Sequence, residues 1–94
     1  MKHACVYILS SNNHNVLYIG VTSQLKQRVW QHKAGVVDGF TKKYRVHKLV
    51  FFEGHHSMYS AIEREKQVKK WKREWKENLI KGVNPDWVDL YDSL

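Results

Sequence analysis

The sequence predicts an α+β fold: a small three-stranded antiparallel sheet flanked by helices, in the order β-β-α-β-α-α. Three observations carry this. Two short runs rich in β-branched and aromatic residues flank a cluster of turn formers, a third such run follows a helical stretch, and the rest has helical apolar spacing. At 94 residues, the whole span 1–94 is expected to form a single domain.

The first strand is His3–Leu9 (HACVYIL) and the second Val16–Val21 (VLYIGV), joined by the turn formers Ser10–Asn15. A two-residue turn at Asn12-Asn13 would place Tyr7 directly opposite Tyr18 on one sheet face. Thr22-Ser23 offers an N-cap and Gly35 a stop for a helix over Gln24–Ala34. Leu25, Val29 and His32 form its inward stripe, with Arg28 at the edge; Arg28 and His32 are four apart and share a face. Gly35–Tyr44 reads as a loop, and Val46–Gly54 as the third strand. Ser57 can cap a long helix from Met58 to about Lys72, broken before Leu79. Asn84-Pro85-Asp86 carries a helix-start signature, after which Trp87 and Leu90 pack back.

Composition bounds the function. Apolar residues make up 43% and aromatics 13%, which excludes a disordered chain. No apolar run approaches the roughly 18 residues of a membrane span, and the N-terminus has no signal-peptide pattern. The single cysteine, Cys5, excludes a disulfide framework and a Cys-pair zinc site, and points to a reducing, cytoplasmic location. The net charge of +7 lies entirely in residues 1–50, on Lys2, Lys26, Arg28, Lys33, Lys42, Lys43, Arg45 and Lys48. Residues 51–94 balance. An anionic partner, nucleic acid before membrane, is the expectation. Lys42, Lys43, Arg45 and Lys48 interleave with Phe40 and Tyr44, a pattern suited to phosphate contact and base stacking.

On a helical wheel, Met58, Ala61, Ile62, Val68, Trp75 and Leu79 fall in one stripe, and Glu65 falls in its middle. A carboxylate among core-facing residues is costly unless paired or bound to a cation. Either Glu65 forms a structural ion pair with Lys69 or Arg28, or it faces a cleft and holds a divalent metal. The wheel does not choose between them. His55-His56 reads as a loop rather than a metal site, and Cys5 as a small packed residue.

Cys5-Val6-Tyr7, ten residues, and then Tyr18-Ile19-Gly20 resemble the paired signature of the GIY-YIG nuclease superfamily, which includes the nuclease domain of bacterial excision repair. Arg28 stands where the superfamily has an arginine on the next helix, and His32 matches the histidine of homing-type members. Ala61-Ile62-Glu63-Arg64-Glu65 is similar to the segment carrying the metal-binding glutamate. Arg64–Trp71 and Asn84–Trp87 look like the small single-domain bacterial members. Cys5, Val6 and Val21 depart from the pattern. Val21 stands where excision-repair members carry a lysine beside the second tyrosine. Asn78 and Asn84 both stand near the superfamily's late asparagine.

The resemblance implies hydrolysis of phosphodiester bonds in DNA with one Mg²⁺ or Mn²⁺ held by Glu65, in repair or in processing of branched or damaged DNA. Tyr18 would be the base, Tyr7 would orient it or contact phosphate, and Arg28 would meet charge on the phosphoryl oxygens. His32 would shuttle a proton or touch phosphate, unless it is a core histidine. Nearby cations would favour the phenolate. Lys26, Lys42, Lys43 and Arg45 would bind the nucleic acid, with a protein partner adding affinity. The competing reading is a nucleic-acid-binding module without catalysis. A third, an interaction protein, rests on Trp30, Trp71, Trp75 and Trp87.

Overall fold

The structure is a computed structural model describing residues 3–94, so Lys2 lies outside the described residues. β1 (Ala4–Ser10) runs between β2 (Leu17–Thr22) and β3 (Lys48–His55), and both pairings are antiparallel. Its apolar run explains the central place, because a strand covered on both faces needs apolar residues at successive positions. Cys5 to Leu9 are all buried. A bulge between Ile8 and Leu9 leaves Val50 unpaired on β3.

The sheet thus has two buried faces. Val6, Ile8, Ile19, Val50 and Phe51 point to one, where Ala61, Val68, Ile80 and Trp87 cover them. Tyr7, Leu9 and Leu49 point to the other, beneath Val29 and Val46, with Tyr18 and Leu25 alongside. α1 (Leu25–Lys33) brings Val29 and His32 to the second face. α3 (Met58–Lys70) packs on the three strands, and α4 (Arg73–Val83) against β3. Ser57 caps α3 as expected, its Oγ accepting from the Ser60 N–H at 3.1 Å. No helix is long and apolar enough to cross a membrane among the described residues.

The architecture and its order match the sequence reading, while four local expectations need correcting. The hairpin closes through a four-residue loop, Asn12–Asn15, because Ser11 N–H bonds the Val16 carbonyl. His14 takes a left-handed φ of 63° there, and Asn13 Oδ1 accepts from the Ser11 hydroxyl and the Asn15 N–H. Tyr7 therefore opposes Gly20, and Tyr18 opposes Leu9. A shift of two keeps every side chain on its expected face. Second, the 35–44 loop contains a one-turn helix, α2 (Phe40–Lys43). Third, the backbone turns extended at Trp71 and Lys72, ending α3 early. The wheel phase is lost there, and Trp75 is exposed rather than in the stripe. Fourth, Pro85 starts no helix. Asn84 is buried, its side chain donating to the Val50 and Val88 carbonyls and accepting from the Val88 N–H. That amide ties the tail to β3, so Trp87 reaches the core, and a 3₁₀ turn forms only at Tyr91–Ser93.

Candidate active site

Gly20 organises the site. A Cβ there would stand 2.5 Å from both Cζ and Oη of Tyr7, far inside van der Waals contact. The Tyr7 ring can lie across the edge strand only because position 20 has no side chain. The sequence carried this signal as a glycine inside a strand opposite a large ring, but the two-residue register paired Tyr7 with Tyr18 and hid it.

From this position the Tyr7 hydroxyl lies 3.2 Å from Nε2 of His32, whose Nδ1 lies 3.0 Å from the Thr41 hydroxyl. All three residues are buried. Burial pushes the Tyr7 phenol up to about 12; the nearby Arg28 guanidinium pulls it down, while the neighbouring Tyr18 and Glu65 raise it. For Tyr7, then, burial outweighs the cation. Burial, reinforced by the Arg28 charge, takes His32 down to about 4, so its ring is neutral at pH 7. One nitrogen donates and the other accepts. Thr41 had no signal in the sequence beyond its β-branched type, because a one-turn helix leaves no periodicity to read.

Tyr18 is half-buried, its ring 6.3 Å from Tyr7 and 5.5 Å from His32. Arg28 is half-buried and donates to Gln31 Oε1 at 3.3 Å. It lines a polar cavity of about 200 Å³ with Thr22, Ser23 and Gln27. Glu65 arrives from the opposite face of the sheet, on α3, which also packs against β2. Its charge reaches the Tyr7 phenol. Glu65 Oε2 sits 3.0 Å from Lys69 Nζ, but the Lys69 side chain is 52% exposed and that of Glu65 only 15%. The pair is the i, i+4 pairing expected of a helix, with its cation free to leave toward water.

Tyr7, Tyr18 and His32 are thus in contact, and Arg28 and Glu65 act on the same phenol. Lys42, Lys43 and Arg45 stand apart, exposed on and after α2, with Lys42 3.6 Å from Asp38. Lys26 is exposed near the start of α1. It lines a larger cavity, about 540 Å³, with Cys5, Ser23 and Leu94. None of Tyr7, Tyr18, Arg28 or Glu65 lines that cavity, so size alone does not mark the site. His55 is spent on Glu53 and Ser60. No group of three or more His, Cys, Asp or Glu that could hold a metal occurs among the described residues. Glu65 is a single hard oxygen donor, which fits Mg²⁺ or Mn²⁺ completed by water and phosphate oxygens, and does not fit zinc.

Residues 3–78 match the family model for the GIY-YIG catalytic domain. A UPF0213 protein of Syntrophus aciditrophicus is 38% identical over 87 residues, covering 92% of this chain and 98% of its own. One from Haloquadratum walsbyi is 34% identical over 74 residues, 79% of this chain and 82% of that protein. The solution NMR structure of a UPF0213 protein from Bacillus halodurans superposes with a TM-score of 0.58 at 27% identity, over 95% of this chain and 93% of that one.

Proposed function

This chain belongs to the GIY-YIG family, and from that membership we propose that it is a divalent-metal-dependent endonuclease. Its substrate is DNA, in repair or in the processing of branched or damaged strands. The observation that carries the reading is convergence. Residues scattered from position 7 to position 65 act on one phenol at the Gly20 edge of the sheet.

Tyr18, less buried than Tyr7, is the base that activates water. Tyr7 is 1% exposed and acts from behind, holding the pocket's shape. The neutral His32 and Thr41 fix its hydroxyl. When Thr41 donates to Nδ1, the Nε2–H donates to the Tyr7 oxygen and leaves the phenol proton directed onward. Arg28 offers its remaining N–H donors to the phosphoryl oxygens as charge develops. Glu65 would hold Mg²⁺ or Mn²⁺, which supplies Lewis-acid polarisation of the phosphate when bound. Lys26, Lys42, Lys43 and Arg45 attract the backbone. The single domain works in the cytoplasm, with a protein partner adding affinity for substrate.

The experiment compares wild type with Glu65→Ala and Tyr18→Phe on single-stranded, nicked, flapped and branched DNA with Mg²⁺ or Mn²⁺. Wild type cuts, and each variant loses about a hundredfold or more. Equal cutting by all three overturns the assignment. The Glu65–Lys69 pair favours a second reading, a binding module without catalysis. Salt-dependent binding with no metal-dependent cleavage selects it.

A further inference from the structure

An open cavity of about 360 Å³ lies between the β1–β2 turn and the corner after α2. It is lined by Asn12, Asn13, Asn15, Val16, Tyr44 and Arg45, with Ser11 at its back. That volume is within the range of small-molecule sites. Its chemistry is unusual for a turn. Three carboxamides, an aromatic ring and a guanidinium meet in one hollow, and no carboxylate lines it. Asn13 spends its Oδ1 on the turn, which leaves its amide N–H donors. Asn12 and Asn15 are exposed.

The cavity is linked to the active site by the chain and by a row of rings. Val16, just before β2, lies two residues from Tyr18. The rings form a second connection. Tyr18 and Phe40 stack with centroids 6.4 Å apart, and Phe40 meets Tyr44 at 4.9 Å. Phe40 and Tyr44 are 48% and 46% exposed, and Lys43 stands over the Tyr44 ring. Arg45 holds a left-handed φ of 55°, a conformation that is costly for a residue with a side chain. This turn lets Val46 N–H bond the Thr41 carbonyl and enter the core while Arg45 stays at the cavity wall.

We infer that this hollow takes an unpaired nucleotide of the strand whose backbone lies at Tyr18. Carboxamides match the donor and acceptor edges of a base, aromatic faces stack on it, and the cation meets its phosphate. A paired base would present neither its full edge nor its face. The inference rests on the nuclease reading for the position of the strand, and it adds a discrimination between paired and unpaired nucleic acid.

Fluorescence anisotropy with the full chain in EDTA tests it without cleavage, using a labelled DNA strand, an RNA strand of the same sequence and the matched DNA duplex. Wild type binds the unpaired strand more tightly than the duplex. Tyr44→Ala and Asn12→Ala/Asn15→Ala each lose about five- to a hundredfold on the strand and less than about twofold on the duplex. These are exposed positions, and circular dichroism checks that the variants fold. Equal loss on the DNA and RNA strands assigns the subsite to the base. Loss on one strand only assigns it to that nucleic acid. No preference for the unpaired strand, unchanged binding by the variants, or equal losses on strand and duplex overturns the inference. Cleavage by Glu65→Ala at the wild-type rate overturns the nuclease reading instead and leaves the binding result standing.

Discussion

The two faces of the sheet are built from alternate residues of the same strand and are unlike in chemistry. Toward α3 and α4, Val6 and Ile8 meet an apolar layer closed by Val68, Ile80 and Trp87, with the buried Asn84 amide bonded to the Val50 carbonyl at its border. Toward α1 and α2, Tyr7 and Leu9 meet apolar residues joined by the buried hydroxyls and imidazole of Tyr7, His32 and Thr41. The first face answers mainly to volume and area. The second is a layer whose polar groups are costly unless each has a partner. No buried side-chain polar atom among the described residues lacks one. The phenols and imidazole thus gather on one side of β1, while Glu65 comes from the other.

The largest effect comes from breaking the apolar face. Ile8→Ala, at a fully buried position, costs about 2–5 kcal/mol in urea unfolding, with cleavage per folded molecule unchanged. Acid comes next and acts on the other face. His32 has an ordinary value of 6.5 unfolded and about 4 folded. The unfolded chain therefore takes up the proton first, and stability contributed by the neutral ring is complete above pH 6.5. That contribution falls as pH drops toward 4, by up to about 3 kcal/mol. Urea midpoints compared between wild type and His32→Asn across this window isolate it, since Asp89 and Glu53, also held low by their partners, titrate in both. An equal acid loss in the two proteins contradicts the assignment.

Gly20→Ala tests the border between the faces. Its methyl must displace the Tyr7 ring, costing about 1–3 kcal/mol. Tyr7→Phe in the Gly20→Ala background is expected to add little further loss of cleavage, because the hydroxyl is already displaced. The smallest effect is that of Lys69→Ala. The Lys69 cation is exposed although Glu65 is not, and a helix i, i+4 pair contributes about 0.3–0.5 kcal/mol, so stability moves by about that amount. Cleavage rises or holds as Glu65 is freed, and a large loss would make the pair structural.

Much of this contrast was legible in the sequence. Period-two alternation placed Tyr7 and Tyr18 on one face, and the wheel singled out Glu65 among core positions. The Ser57 cap and the Gly35 stop follow local chemistry, and Gly35 takes a φ of 72° at the end of α1. What was not legible depends on distant partners. The hairpin register was decided by Ser11 and Asn13 side-chain bonds that favour a longer turn. Asn84 reads as a helix start until its amide finds Val50, thirty-four residues away. The break at Trp71-Lys72 has no proline or glycine to announce it. The roles given to Tyr18, Arg28 and Glu65 rest on the proposal above.

β2 is an outer strand, and its unpaired rim is where contributions from above and below the sheet come together. A further strand laid along that rim would seal the half-buried Tyr18 phenol from solvent, whereas one added beyond β3 would leave it as it is. Extension of this sheet by an added strand is thereby compatible with an open site in a single direction, beyond β3.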